Sequence, residues 1–249
     1  MPLLTTNRML PIVPLSSLWR AMRLGLSRAA VLLLLAATPA LGQEELLRYR
    51  ATFGPLSAGT AELIWRQGEQ ADSLTVLNTT AGLVDRLFRV RDTLNMVLEP
   101  NTGRMLSRKA IINEGRYHKR REAFVDGDSL RILGNAALYH PEPIYDALGL
   151  IYALRQREIQ AGDTVTVDLF DGKRIRKLLL LVSDSAPVNV PAGTFECLLI
   201  RPAPLDGQKL TKVKGELAIW QSKEPPYVAV KVRQTASVGI MEMRLLELP

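Results

Sequence analysis

The chain has 249 residues, 47% of them hydrophobic, with 32 Lys and Arg against 25 Asp and Glu and a formal net charge of +7. A single cysteine excludes an intramolecular disulfide, and two isolated histidines beside it offer no zinc-ligand spacing. Four arginines (Arg8, Arg20, Arg23, Arg28) precede the first acidic residue, so beyond residue 42 the balance is 28 basic to 25 acidic, net +3, which is too mild for a nucleic-acid footprint.

The first element in chain order is a leader. Arg20, Arg23 and Arg28 run into the apolar stretch 29–37, followed by Thr38-Pro39-Ala40-Leu41-Gly42 and the polar Gln43-Glu44-Glu45. A basic segment, a short apolar core and small residues at Ala40 and Gly42 form the pattern of a secretory signal peptide, expected to be cleaved after Gly42. Met22 fits as the true start, which makes residues 1–21 an overhang. The apolar core is shorter than the roughly 20 residues of a permanent membrane span, so no anchor is expected. No cysteine stands at the cleavage point, and the lipoprotein route is closed. The expectation is a periplasmic protein with one domain at 43–249, long enough to build a core without disulfides. Cys197, inside the apolar run Phe195 to Ile200, reads as a buried thiol.

Short runs of period two follow. Val165, Val167 and Leu169 alternate with Thr164, Thr166 and Asp168; Val228, Val230 and Val232 alternate with Lys231 and Arg233. Such patterns mark half-buried strands. Strands are predicted near 46–54, 58–67, 73–81, 92–98, 104–113, 117–125, 129–133, 164–170, 173–184, 194–201, 214–221, 227–233 and 237–247. Turn signals such as Pro100-Asn101-Thr102-Gly103, Asp126-Gly127 and Asp171-Gly172 separate them. Apolar Leu148, Ile151, Tyr152 and Leu154 instead have helical spacing, with Asp146 as N-cap, which predicts a helix near residues 146–157. A short helical turn is expected over Val84 to Phe88. Together these predict a mainly β fold: a single antiparallel curled sheet forming a partly open barrel or sandwich, with the helix plugging or covering an opening.

The order of several motifs is more specific than any one of them. Tyr49-Arg50-Ala51-Thr52-Phe53-Gly54-Pro55-Leu56-Ser57-Ala58-Gly59-Thr60-Ala61 comes first, then Tyr145-Asp146-Ala147-Leu148-Gly149-Leu150 and Ala161-Gly162-Asp163. Val190-Pro191-Ala192-Gly193-Thr194-Phe195, Leu217-Ala218-Ile219-Trp220 and Val238-Gly239-Ile240-Met241 complete the series. This arrangement resembles the DUF3108 family, exported bacterial proteins of unknown function. The resemblance implies export and fold type but no reaction; Lys223-Glu224-Pro225-Pro226 departs from the pattern after Trp220.

Candidate chemistry is sparse. Gly127-Asp128-Ser129-Leu130 spells an esterase nucleophile signature, but the only histidines are His118 and His140 and none follows residue 140, so a hairpin turn is the expected reading. Asp163, Asp168 and Asp171 lack the loop grammar of a calcium site. No carboxylate pair stands out for glycoside hydrolysis. No catalytic, metal or cofactor-binding residue is therefore assigned. Two basic clusters, Arg116, His118, Lys119, Arg120, Arg121 and Lys173, Arg174, Arg176, Lys177, suit either anionic headgroups or solvated strand faces. Consecutive strand residues cannot all point one way, which weakens the first option. The run Leu178 to Val182 is apolar on both faces, so it either packs beneath the helix or lines an apolar cavity. Trp65 and Trp220 are expected to share an inward, core phase. The leading functional expectation is a non-enzymatic periplasmic protein that binds a hydrophobic or amphiphilic, lipid-like envelope component. The alternative is a structural or assembly partner of an envelope protein complex; a hydrolase would have to rest on Ser129 or His140.

Overall fold

A computed structural model of the protein describes residues 44–205, 216–236 and 239–248; the expected leader, 1–42, lies outside these residues. The chain from Gly42 on forms its own compact unit. The alternating segments become β1 (Glu44–Phe53), β2 (Leu56–Arg66), β3 (Asp72–Thr80), β4 (Arg91–Leu98), β5 (Met105–Glu114), β6 (Tyr117–Asp126) and β7 (Ser129–Ile132). After two short strands, β8 (Leu138–Tyr139) and β9 (Ile144–Asp146), come β10 (Thr164–Phe170), β11 (Ile175–Asp184), β12 (Val188–Val190) and β13 (Gly193–Phe195). β14 (Cys197–Pro204), β15 (Leu217–Ser222), β16 (Ala229–Ala236) and β17 (Gly239–Glu247) end the chain. Two helices interrupt the series: α1 (Gly82–Leu87) between β3 and β4, and α2 (Ala147–Arg155) after β9.

Fifteen strands form one sheet in the order β8-β7-β6-β5-β4-β3-β2-β1-β17-β16-β15-β14-β11-β10-β9. The expectation of a single antiparallel sheet is corrected in two respects. β9 joins β10 in parallel, through Asp168↔Ile144 to Phe170↔Asp146, and β12 and β13 form a separate hairpin. The parallel pair exists because the chain leaves β9 directly into α2 and returns through it, a crossover that a helix makes possible. The hairpin escapes sequence reading because its strands have three residues each.

The sheet is not closed by backbone pairing. Its two ends are joined by side chains instead: Met105, Ala123 and Leu130 from β5, β6 and β7 form one core cluster with Ile144 and Phe170 from β9 and β10. Across the same seam Arg108 Nε donates to Asp146 Oδ2 at 2.7 Å, with both side chains largely buried. Asp146 uses its other oxygen to cap α2, accepting from the Leu148 N–H at 3.0 Å. One carboxylate thus starts the helix and fastens the seam.

α2 lies inside the curl. One side of it carries Tyr152, packed with Leu74, Val76, Met96 and Leu98 and with its ring centroid 4.4 Å from that of Trp65. The other side carries Leu150, Ala153 and Leu154 against Val167, Leu178, Leu180, Val182, Leu198, Ile200 and Ile219. Burying each of these large side chains stabilises the fold by about 2 kcal/mol. Leu178, Leu180 and Val182 therefore pack beneath the helix, and Leu181 on the alternate face is exposed. Trp65 is inward as expected. Trp220 is not in phase with the core under α2: its neighbour Ile219 joins that core, while Trp220 is half-buried with the Lys231 Nζ 3.8 Å from its ring centroid.

The turn between β4 and β5 touches the helix directly. Gly103 has φ +66°, and a Cβ there would stand 2.7 Å from the Ala153 Cβ. Gly103→Ala combines left-handed strain with overpacking and is expected to lower stability by about 2–4 kcal/mol. Gly134→Ala, at φ +83° with open space around it, should cost only about 1 kcal/mol from strain. Urea denaturation of both variants checks this; equal losses would show that the turn does not bear on α2.

Candidate functional site

Where α2 begins, the filling of the curl stops. Beyond Leu148 lies a cavity of about 660 Å³, walled by β1, β2, β3, the first residues of β4, the end of β5 and the start of β17, with α1 across it. The space follows from the inward positions of these strands. Ala51 of β1 faces Gly59 of β2, Gly59 faces Thr80 of β3, and Ala61 faces Asn78. Nearer α2 the same faces carry Leu63, Leu74, Val76 and Met96. Small side chains replace large ones at the cavity, and the volume is left unfilled. Gly59 also lets β2 and β3 approach closely: a Cβ at this residue, φ +154°, would lie 1.9 Å from the Thr79 carbonyl oxygen.

The apolar wall comprises Phe53, Leu63, Val76, Leu148, Met241 and Met243, with Val84 and Phe88 contributed by the segment over the opening. That segment is lightly held. α1 has no buried residue, and its attachment to β3 and β4 runs through Asp85, which accepts from the Thr80 hydroxyl and from Arg91 Nη1, each at 2.7 Å.

Polar groups gather at one side. Asp92 shares the inward face of β4 with Leu94 and Met96, and Glu114 ends the inward face of β5. Asp92 accepts from the Asn113 N–H at 2.8 Å. Burial, and then the adjoining Asp92 carboxylate with which it shares a hydrogen bond, push the Glu114 carboxyl above the usual carboxylate range. This is the carboxyl pair that sequence reading did not single out. In direct contact with each other, the two groups leave no room for the gap of about 5–9 Å that glycoside hydrolysis needs between its carboxyls. Among the cavity-lining residues there is no Ser, Cys, His or Lys.

The other residues considered from sequence lie elsewhere. Gly127-Asp128 is the two-residue turn of the β6–β7 hairpin, with Ser129 paired to Asp126 and Tyr139. His140 directs Nε2 to Asp168 Oδ2 at 3.1 Å, and Asp168 also meets Lys177 Nζ at 3.7 Å. Asp171 is an ion-pair partner of Arg174 and Arg176. The first basic cluster divides by alternation: Lys119 and Arg121 face the same way as Ile112 and Ala110, while His118 and Arg120 face the other. Cys197 is buried, and burial with the nearby Glu196 raises its thiol to about 11, outside the range of a reactive thiolate. A second concavity, about 560 Å³ beside the end of α2, is lined by Arg155, Lys223 and other polar groups. Two of its cations are already engaged: Arg155 makes a bidentate pair with Glu45 at 2.6 and 2.8 Å, and Lys223 reaches Asp184 at 2.6 Å.

A family model described as a protein of unknown function (DUF3108) matches residues 48–246, nearly all of this architecture. The chain belongs to the DUF3108 family. Its opening motif, Tyr49 to Ala61, now has a physical meaning, because the small residues Ala51, Ala58, Gly59 and Ala61 are the ones that leave the cavity open. Among solved structures, the chain is similar to the β-barrel-like protein of the DUF1849 domain of unknown function from Brucella abortus. The TM-score is 0.55 at 10% identity, covering 82% of this chain and 96% of that one. That likeness concerns fold alone. A comparison with curated proteins gives no match.

The raised Glu114 carboxyl has a defined consequence for stability. A carboxyl whose folded value lies above its unfolded value of 4.5 opposes folding when ionised, and the penalty disappears once pH falls below the unfolded value. Glu114→Gln in this DUF3108 protein is therefore expected to raise the melting temperature at neutral pH and to lose that advantage in acid. Thermal denaturation across the two pH regimes measures it; a variant less stable than the parent at neutral pH would contradict the assignment.

Proposed function

We propose that this DUF3108 protein is a non-enzymatic binder of a hydrophobic or amphiphilic component of the bacterial envelope, acting in the periplasm. The observation that carries the reading is the cavity of about 660 Å³ with predominantly apolar walls. Its size falls within the roughly 300–1,000 Å³ of ligand pockets, where apolar walls supply affinity and a few polar groups fix orientation. The leader supports export, and the lining residues provide inward polar groups (Asn78, Thr80, Asp92 and Glu114) without a nucleophile and base in contact. Envelope carriers built from curled sheets hold acyl chains on a concave face; that parallel is one of architecture and compartment.

The alternative, a structural part of an envelope assembly, would be served by a long open strand edge. The strands at the two ends of the sheet, β8 and β9, are two and three residues long, short templates for an added strand. The cavity favours the binding role.

The experiment is uptake of the apolar fluorophore N-phenyl-1-naphthylamine by the chain lacking residues 1–41. The parent protein is expected to enhance its emission saturably. Ala51→Trp, which places an indole in the cavity, should remove most of that enhancement, while Arg50→Trp on the outer face should leave it intact. Absent enhancement, or equal enhancement in all three proteins, would refute the reading.

A further inference from the structure

The antiparallel order of the sheet brings alternate connections to one end of the molecule. The β1–β2 turn, the β3–β4 connection with α1, the β5–β6 turn and the start of β17 all meet there, around the opening of the cavity. Close contacts tie them together: Gly54 N–H donates to the Ile240 carbonyl at 2.8 Å, Ala81 N–H to the Ala58 carbonyl at 2.9 Å, and Gly115 lies against the Phe88 ring.

This end carries a contiguous group of large apolar side chains that face outward. Phe53, Leu56, Leu83, Leu87, Phe88 and Met241 are all exposed, Leu83 at 60% and Leu87 at 78%. A short helix with apolar residues outward and none buried gains nothing from them in the isolated protein. Charge is equally uneven. The segments that bear the rim, 53–57, 81–91, 115–119 and 239–241, contain Arg86, Arg89, Arg91, Arg116 and Lys119 against one acid, Asp85, and Asp85 is itself paired with Arg91 and Arg89. The carboxyls of Asp92 and Glu114 sit behind the rim, among the cavity-lining residues.

We infer that this rim docks on the surface of an anionic lipid bilayer, with α1 inserted into the headgroup region so that the cavity mouth opens onto the membrane. An apolar rim with a basic surround is the combination that binds such an interface, because burial of the Leu and Phe side chains and attraction of the arginines to lipid phosphates add together. Phe88 and Met241 belong to both rim and cavity wall. A hydrophobic ligand passing between bilayer and cavity along them would not cross water. Two parts of α1 follow distinct roles: Val84 faces the cavity, and Leu83 and Leu87 face away from it.

The inference rests on the cavity-binding reading for its purpose but is tested separately. The chain lacking residues 1–41, which removes the apolar leader as a source of membrane binding, is floated with vesicles of phosphatidylglycerol and phosphatidylcholine or of phosphatidylcholine alone. The parent is expected to float with the anionic vesicles, and more weakly with the neutral ones. The double variant Leu83→Ser/Leu87→Ser, at two exposed positions that do not line the cavity, should weaken this partitioning by at least about tenfold. It should keep the circular dichroism and fluorophore uptake of the parent. Arg86→Glu/Arg116→Glu should abolish the preference for anionic vesicles. A parent that takes up fluorophore but ignores anionic vesicles overturns the docking surface and leaves the cavity standing, as does a double Leu variant that floats unchanged. A protein that floats through Leu83 and Leu87 yet takes up no fluorophore sustains the docking surface and removes the cavity reading.

Discussion

α2 is held between two surfaces of one curled sheet, and that enclosure sets both the seam and the cavity. A fifteen-stranded sheet twists by necessity, but twist alone does not decide what fills the curl. Here Tyr152 packs on the β3–β4 side while Leu150 and Leu154 pack on the β10–β14 side. A helix apolar on both flanks has to lie between two sheet surfaces. Arg155, largely buried, completes the hold by gripping Glu45 of β1 at 2.6 and 2.8 Å. The seam is subordinate to this arrangement. Asp146 can reach Arg108 because it is fixed as the cap of the same helix.

The cavity is the complement of that helix. α2 has nine residues and begins at Ala147, so it fills only part of the curl, and Leu148 forms the boundary. Along β2 and β3 the inward positions nearer α2 are Leu63, Leu74 and Val76; farther from it they are Ala61, Gly59, Asn78 and Thr80. An unfilled core volume is costly in proportion to its size. Replacing Ala51 or Ala61 with Leu would be the simplest route to a more stable protein. The presence of small residues along two adjoining strands is intelligible if something enters the space.

Much of this architecture was legible in the sequence, and what was hidden was hidden for physical reasons. The thirteen predicted strand segments fall on strands, although 194–201 runs across β13 and β14, which belong to different sheets. Period two marks strands with one buried and one solvated face, and β14 and β15 are largely buried on both. Asp146 was recognisable as a cap, since its carboxylate satisfies an N–H that the first helical turn leaves open. The parallel β9–β10 pair was not, because three residues at Ile144–Asp146 carry no periodic signal. Leu178 to Val182 gave an ambiguous signal: the run is apolar on both faces, yet only one face is core and Leu181 is exposed. The cavity was harder still. Its signal is missing bulk at Ala51, Gly59 and Ala61, and small residues read as unremarkable until strand register places them opposite one another. Asp92 and Glu114 are 22 positions apart and become neighbours only through the register of β4 and β5, which brings Glu114 beside β4 through the Val90↔Glu114 bridge.

Whether the space beside Leu148 holds a hydrophobic ligand is decided by native mass spectrometry of the protein recovered gently from a bacterial envelope. A chain with an occupied cavity gives a species heavier than the polypeptide by the mass of one lipid-like molecule, released on collisional activation and lost in Ala51→Trp. Repeated recovery of the parent protein at the mass of its polypeptide alone would contradict that occupancy.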